Sequence, residues 1–195
     1  MESGEIAIDS YEPLISFLGR QYPAAWRMAA DLYAVSGDSA GLTRAINALT
    51  ALLESAPAPA ERISTWRRIA ELSGRNGDLA SELNAWTQIA GITDATIRDI
   101  SDAANALNSL HYNFRQRLDR ELLSLAFERA IAALAPHVDS AASATDLSRL
   151  AWLYLNTSQV EKAKSVTLLG LKVDPLNSHL VNLKSRLDIC DASGV

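Results

Sequence analysis

The sequence predicts an all-α protein, a solenoid of four helical hairpins flanked by cap helices, and three observations lead there. Alanine is about one residue in six, while aromatics are 6% and prolines number 6 in 195 residues, a balance that favours helix over sheet. The chain matches itself when slid by forty residues: Trp26-Arg-Met-Ala-Ala30-Asp-Leu32 with Gly37-Asp38 aligns on Trp66-Arg-Arg-Ile-Ala70-Glu-Leu72 with Gly77-Asp78. Apolar residues between the matches recur at helical spacing, and Gly-Asp supplies a stop followed by a cap.

The elements follow in order. A cap helix is expected over Tyr11 to Gln21, within a leader and cap region of residues 1–22. The first hairpin, about residues 23–62, opens at Pro23, where a helix accepts its first residue, and carries Trp26, Ala29, Ala30 and Tyr33 inward to a stop at Gly37. Asp38 caps a second helix with Leu42, Ala45, Ile46, Leu49 and Leu53 on one face, ended by the two prolines of Ser55-Ala-Pro-Ala-Pro-Ala60. The second hairpin, about 63–103, pairs a helix from about Ala60 to Arg75 with one from Leu79 to Ala90 that turns Leu83, Trp86 and Ile89 inward. In the third, about 104–143, Asp94 to Leu110 reads as one helix, and Asp119 to Leu134 as its partner, with Leu122, Leu123, Ala126, Phe127, Ala130 and Ile131 apolar. The fourth, about 144–177, runs from Thr145 to Leu155, turns at Asn156-Thr-Ser158, and returns over Val160 to Val173. A tail, 178–195, has Leu180, Leu183 and Leu187 spaced to cover the last hairpin, as the end of a stack requires.

Charge and rare residues narrow the function classes. The net charge of −5 gives no general attraction to nucleic acid or to an anionic membrane. Cys190 stands alone, so no intrachain disulfide forms, and His111, His137 and His179 lack metal-ligand spacing and read as exposed or capping residues near turns. The acidic amino-terminal stretch is not a signal sequence and no long apolar run follows, so a cytoplasmic location is expected. The four lysines, Lys162, Lys164, Lys172 and Lys184, all fall late in the chain, and this bias with so much alanine points weakly to a GC-rich bacterial genome. No P-loop, GxGxxG, HExxH or Gly-x-Ser-x-Gly motif is present, and neither an enzyme nor a cofactor is expected. The stretch Tyr112-Asn-Phe114-Arg115-Gln-Arg117-Leu-Asp-Arg120 interleaves aromatics with arginines, but a hairpin turn with Phe114 inward and solvated arginines fits the acidic chain better than a nucleic-acid surface.

The quoted residues resemble the tetratricopeptide repeat family. Trp26, Ala30, Tyr33 and Gly37-Asp38 carry the likeness in the first unit, Trp66, Ala70 and Gly77-Asp78 in the second, and Ala151, Tyr154, Ala163 and Asp174-Pro175 in the fourth. The period near forty is longer than the family's, Ser73 stands where an aromatic is common, and Gly170 where alanine is. The resemblance implies a right-handed stack whose first helices line a concave groove that binds peptides, helices or domains. Carried over residue by residue, the groove-lining positions are Arg27 and Asp31; Arg67, Glu71 and Arg75; Asn108, Tyr112, Arg115 and Gln116; and Trp152 and Asn156. Two readings of the charged ones stay open: contacts to a partner chain, or a solvated face closed on itself by pairs such as Arg27 with Asp31 and Arg67 with Glu71 at i, i+4 spacing. Trp152 is either an exposed anchor or, after a small shift of register, a core residue. The expected function is a noncatalytic adaptor with a protein or peptide partner. The alternative is a regulatory or oligomerisation segment of a larger bacterial assembly of effector or defence type, and stacking of its ends would make a homodimer.

Overall fold

Alanine-rich, helix-spaced segments separated by capped turns give helix in every long element of the computed structural model, which describes residues 12–138 and 142–192, with side chains to Leu187. The protein is all-α: ten α-helices and no strand occur among the described residues. They are α1 (Glu12–Gln21), α2 (Ala24–Ala34), α3 (Ser39–Glu54), α4 (Pro59–Arg75), α5 (Leu79–Ala90), α6 (Ile97–Phe114), α7 (Arg120–Leu134), α8 (Ala144–Asn156), α9 (Val160–Val173) and α10 (Ser178–Ala192). A 3-10 turn, Ala135–His137, follows α7 at Pro136. The leader at residues 1–11 and the Cys190 side chain lie outside the described set. No described helix is long and apolar enough to cross a membrane.

The chain divides into two compact units, one ending at Glu82 and the other beginning at Leu83. In the first, α1 lies on α2, α2 on α3, and α3 on α4. Its buried side chains include Ala30 and Tyr33 of α2, Leu42, Ala45, Leu49 and Leu52 of α3, and Ile69, Ala70 and Leu72 of α4. Leu52, three residues beyond Leu49, takes the core place that the spacing gave to Leu53, which is half-buried. Trp26 and Trp66 are half-buried too. On the far side of α2, Met28, Leu32 and Val35 form an apolar stripe at i, i+4, i+7, and Val35 is 81% exposed.

In the second unit α6 lies against α7 and α8, α7 against α8, α8 against α9, and α10 against both α8 and α9. The core draws on Leu107 and Leu110 of α6, Leu123, Phe127 and Leu134 of α7, Leu147, Leu150 and Leu153 of α8, and Leu180, Leu183 and Leu187 of α10. Leu122 is a correction: it is 53% exposed, because Leu123, Ala126, Phe127 and Ala130 form the inward face and Leu122 falls outside it. Gly170 explains one departure from the repeat pattern. A Cβ there would stand 2.6 Å from Leu180, so the missing methyl is what admits α10 to the surface of α9. All four lysines lie on α9 and α10.

The turns repay close reading. Gly37 and Gly77 have φ of +70° and +72°, the left-handed region in which glycine alone carries no Cβ penalty. Asp38 then accepts a hydrogen bond from the Gly41 amide at 2.7 Å, and Asp78 one from the Ser81 amide at 3.1 Å. Bonds from the side chain and backbone of Ser81 hold the Asp78 carboxyl below its ordinary range. The fourth hairpin makes the same turn with Ser158 at φ 59°, and Gln159 begins α9 without a side-chain cap. The third has no glycine; Asp119 alone caps α7 through the amides of Glu121 and Leu122.

Candidate functional site

Of the residues expected to line a groove, all but Arg115 and Gln116 fall on α2, α4, α6 and α8, and several are engaged by a neighbouring helix of that set. In the first unit, Arg27 of α2 donates to Glu61 of α4 at 2.5 Å. Arg68 of α4 lies 3.6 Å from Asp31 of α2 and donates to Glu71 at 2.8 Å. Arg27 and Asp31, expected to pair with each other at i, i+4, thus pair instead with Glu61 and Arg68 of the neighbouring helix. An adjacent helix brings an opposite charge within reach, which spacing along one helix does not reveal. Arg67 is half-buried and Arg75 exposed.

In the second unit the seam between α6 and α8 is more enclosed. Ser101 donates to Asp146, and Arg149 donates to Ser101 at 2.7 Å and to Asp102 at 3.3 Å. Asp146 also accepts from Ser143, the residue that caps α8. Further along, Asn108 donates to the Arg149 carbonyl at 3.2 Å and accepts from Asn156 at 3.1 Å. Trp152 meets neither expectation fully. It is half-buried beside Ala151, Leu180 and Leu183, with the Arg186 guanidinium 4.9 Å from the ring centre, so α10 occupies the face that an anchor would offer.

Where α6 runs out, the same residues open a cleft of about 550 Å3. His111 comes from the last turn of α6, Arg115 and Gln116 from the connection, Arg120 and Ser124 from α7, and Asn156 from the end of α8; Leu118, Leu123 and Phe127 form its apolar part. Tyr112, 80% exposed, lies one residue beyond His111. Arg115, Gln116 and Arg120 are exposed, and Arg117 stacks over Phe114, 5.8 Å from its ring centre. His111 corrects the reading of an exposed turn histidine: it is half-buried, edge-on to Phe127 with ring centres 5.5 Å apart. Burial, reinforced by the neighbouring Arg115 charge, pushes the His111 imidazole below its ordinary pKa, so it is neutral at pH 7. His137 and His179 are exposed.

Of the eleven expected residues, the cleft gathers Arg115, Gln116 and Asn156, while Arg27, Asp31 and Asn108 are engaged between helices and Glu71 pairs with Arg68 on its own helix. His111 and Arg120 are the members the sequence reading missed. The available signal was positional: both flank the third hairpin turn, one of the two that lack Gly-Asp. No group of three His, Cys, Asp or Glu among the described residues is placed to hold a metal ion. Comparison of the chain with protein-family models, curated proteins and solved structures finds no match.

Proposed function

We propose that the protein is a noncatalytic interaction scaffold whose units are hairpins of the tetratricopeptide kind, and that it binds a peptide, helix or domain of a cytoplasmic protein partner. The observation that carries this reading is the cleft at the α6–α7 turn, where exposed polar side chains stand around an apolar floor. The pattern is that of a recognition site: apolar surface for affinity, a few polar groups for orientation. The succession α6 beside α8 and α8 beside α10 supports the repeat reading, since hairpins of that family set first helices side by side. The test is affinity capture from the source organism's lysate with the wild type and with Arg115→Glu/Arg120→Glu. Loss of a specific protein from the variant, with an unchanged melting curve, supports the reading; identical capture by both overturns the cleft as the interface.

A second reading has its own observation. The stripe Met28, Leu32 and Val35 on α2 is a continuous exposed apolar helix face, which suits a segment that packs on another domain of a larger assembly or on a second copy. Sedimentation of wild type against Met28→Ser/Val35→Ser separates the readings. A concentration-dependent mass that the variant loses favours assembly; a monomer in both leaves the stripe without that role.

A further inference from the structure

We infer that the cleft at the end of the α6–α7 hairpin takes an acidic peptide segment anchored by an apolar side chain; this rests on the reading of the cleft as a partner-binding site. The floor supplies the anchor's seat: Leu118, Leu123 and Phe127 are each buried to 7% exposure or less, yet they line the open recess. The walls supply the charge. Arg115 and Arg120 line it, and no aspartate or glutamate among the described residues does. In a chain with 23 acidic and 18 basic residues, other arginines on its seams find carboxylates, as Arg27, Arg68 and Arg149 do. Arg115 and Arg120 have no ion-pair partner among the described residues, and they share the recess with a half-buried imidazole. Two guanidiniums left without a counter-charge around an apolar floor are complementary to a ligand with carboxylates flanking an apolar group.

The remaining polar group points to a chain rather than a free acid. Asn156 lines the recess and gives an amide hydrogen to Asn108, and its carboxamide oxygen accepts no hydrogen bond among the described residues. A carboxylate brings no donor to that oxygen, whereas the backbone N–H of a peptide does. The volume of about 550 Å3 lies within the range of sites that enclose a small ligand or a few side chains.

The test uses fluorescein-labelled short peptides with a central leucine-phenylalanine pair flanked by glutamates, or by lysines, with octanoate as a competing apolar acid. Anisotropy gives affinity, and the His111 imidazole NMR signals report occupancy of the cleft. The expected result is that the glutamate peptide binds at least about tenfold more tightly than the lysine peptide and shifts the His111 signals. That advantage should disappear in Arg115→Gln/Arg120→Gln and return in Arg115→Lys/Arg120→Lys, which guards against a folding artefact. Equal binding of both peptides at His111 overturns the charge inference and leaves the interaction reading standing. Octanoate shifting His111 while neither peptide does overturns the peptide in favour of a small apolar acid. No shift with any probe overturns the inference outright, and the capture experiment then judges the interaction reading alone.

Discussion

Each unit ties two alternate helices together, α2 to α4 in one and α6 to α8 in the other, and the two do so by opposite means. Between α2 and α4 the connection is a pair of ion pairs in solvent: the Arg27 and Glu61 side chains are 49% and 36% exposed. Between α6 and α8 it is a hydrogen-bonded set, Ser101, Asp102, Asp146 and Arg149, with the Arg149 side chain 23% exposed. The turns reverse the order of quality. At its two Gly-Asp turns the first unit has glycine in the left-handed position and an aspartate cap after it, with Ala56 at φ 52° elsewhere in that unit, and the fourth hairpin has Ser158 and an uncapped Gln159. Local chemistry is strong where the long-range seam is weak, and the seam is strong where the local chemistry is poor.

The sharpest test of that contrast is Arg149→Met, which takes the cation from Asp102 and one hydrogen bond from the Ser101 hydroxyl at a partly enclosed seam. It is expected to cost about 2–3 kcal/mol in urea unfolding. Next, exchanging the turn residues should move stability in opposite directions: Gly77→Ser loses and Ser158→Gly gains about 1 kcal/mol, since only the backbone strain changes hands. No atom lies within 4 Å of the Cβ that Gly77 would acquire, so the first change carries no clash. Ser73→Ala is also expected to gain up to about 1 kcal/mol, because the Ser73 hydroxyl is buried with no partner among the described residues. Arg27→Met should change stability by less than about 0.5 kcal/mol, as exposed ion pairs do; an effect as large as that of Arg149→Met would erase the distinction between the seams.

Acid should separate the units as well. His111 in the second unit is held below its ordinary pKa, so the unfolded chain takes up its proton first. Its contribution is complete above about pH 6.5 and is lost as pH falls from there through the folded value. Asp78 in the first unit is likewise held low, and its contribution is lost only as pH falls below the ordinary carboxylate range. Residue-resolved amide exchange between pH 7 and 5 should therefore weaken protection around α6 and α7 before α4, and His111→Gln should remove that difference.

The order of helices was legible because it is written in local chemistry: Leu79–Ala90 and Val160–Val173 begin and end where caps, glycine and proline say they should. The candidate site was legible only in part. Arg115, Gln116 and Asn156 come together at the cleft, but the partners of Arg27 and Asp31 come from a helix some thirty or more residues away, beyond the reach of any i, i+4 rule. His111 was misread because its burial depends on Phe127 across the hairpin. Trp152 was left open between two environments, and the deciding neighbours, Leu180 and Arg186, belong to α10.

The confinement of Lys162, Lys164, Lys172 and Lys184 to α9 and α10 makes the molecule chemically addressable at chosen helices. An amine-acylating reagent finds its side-chain targets on those two helices, because the remaining permanently cationic side chains are arginines. The guanidiniums of the cleft stay unmodified under that chemistry, so a labelled or surface-coupled protein presents an unaltered α6–α7 turn to whatever it is offered.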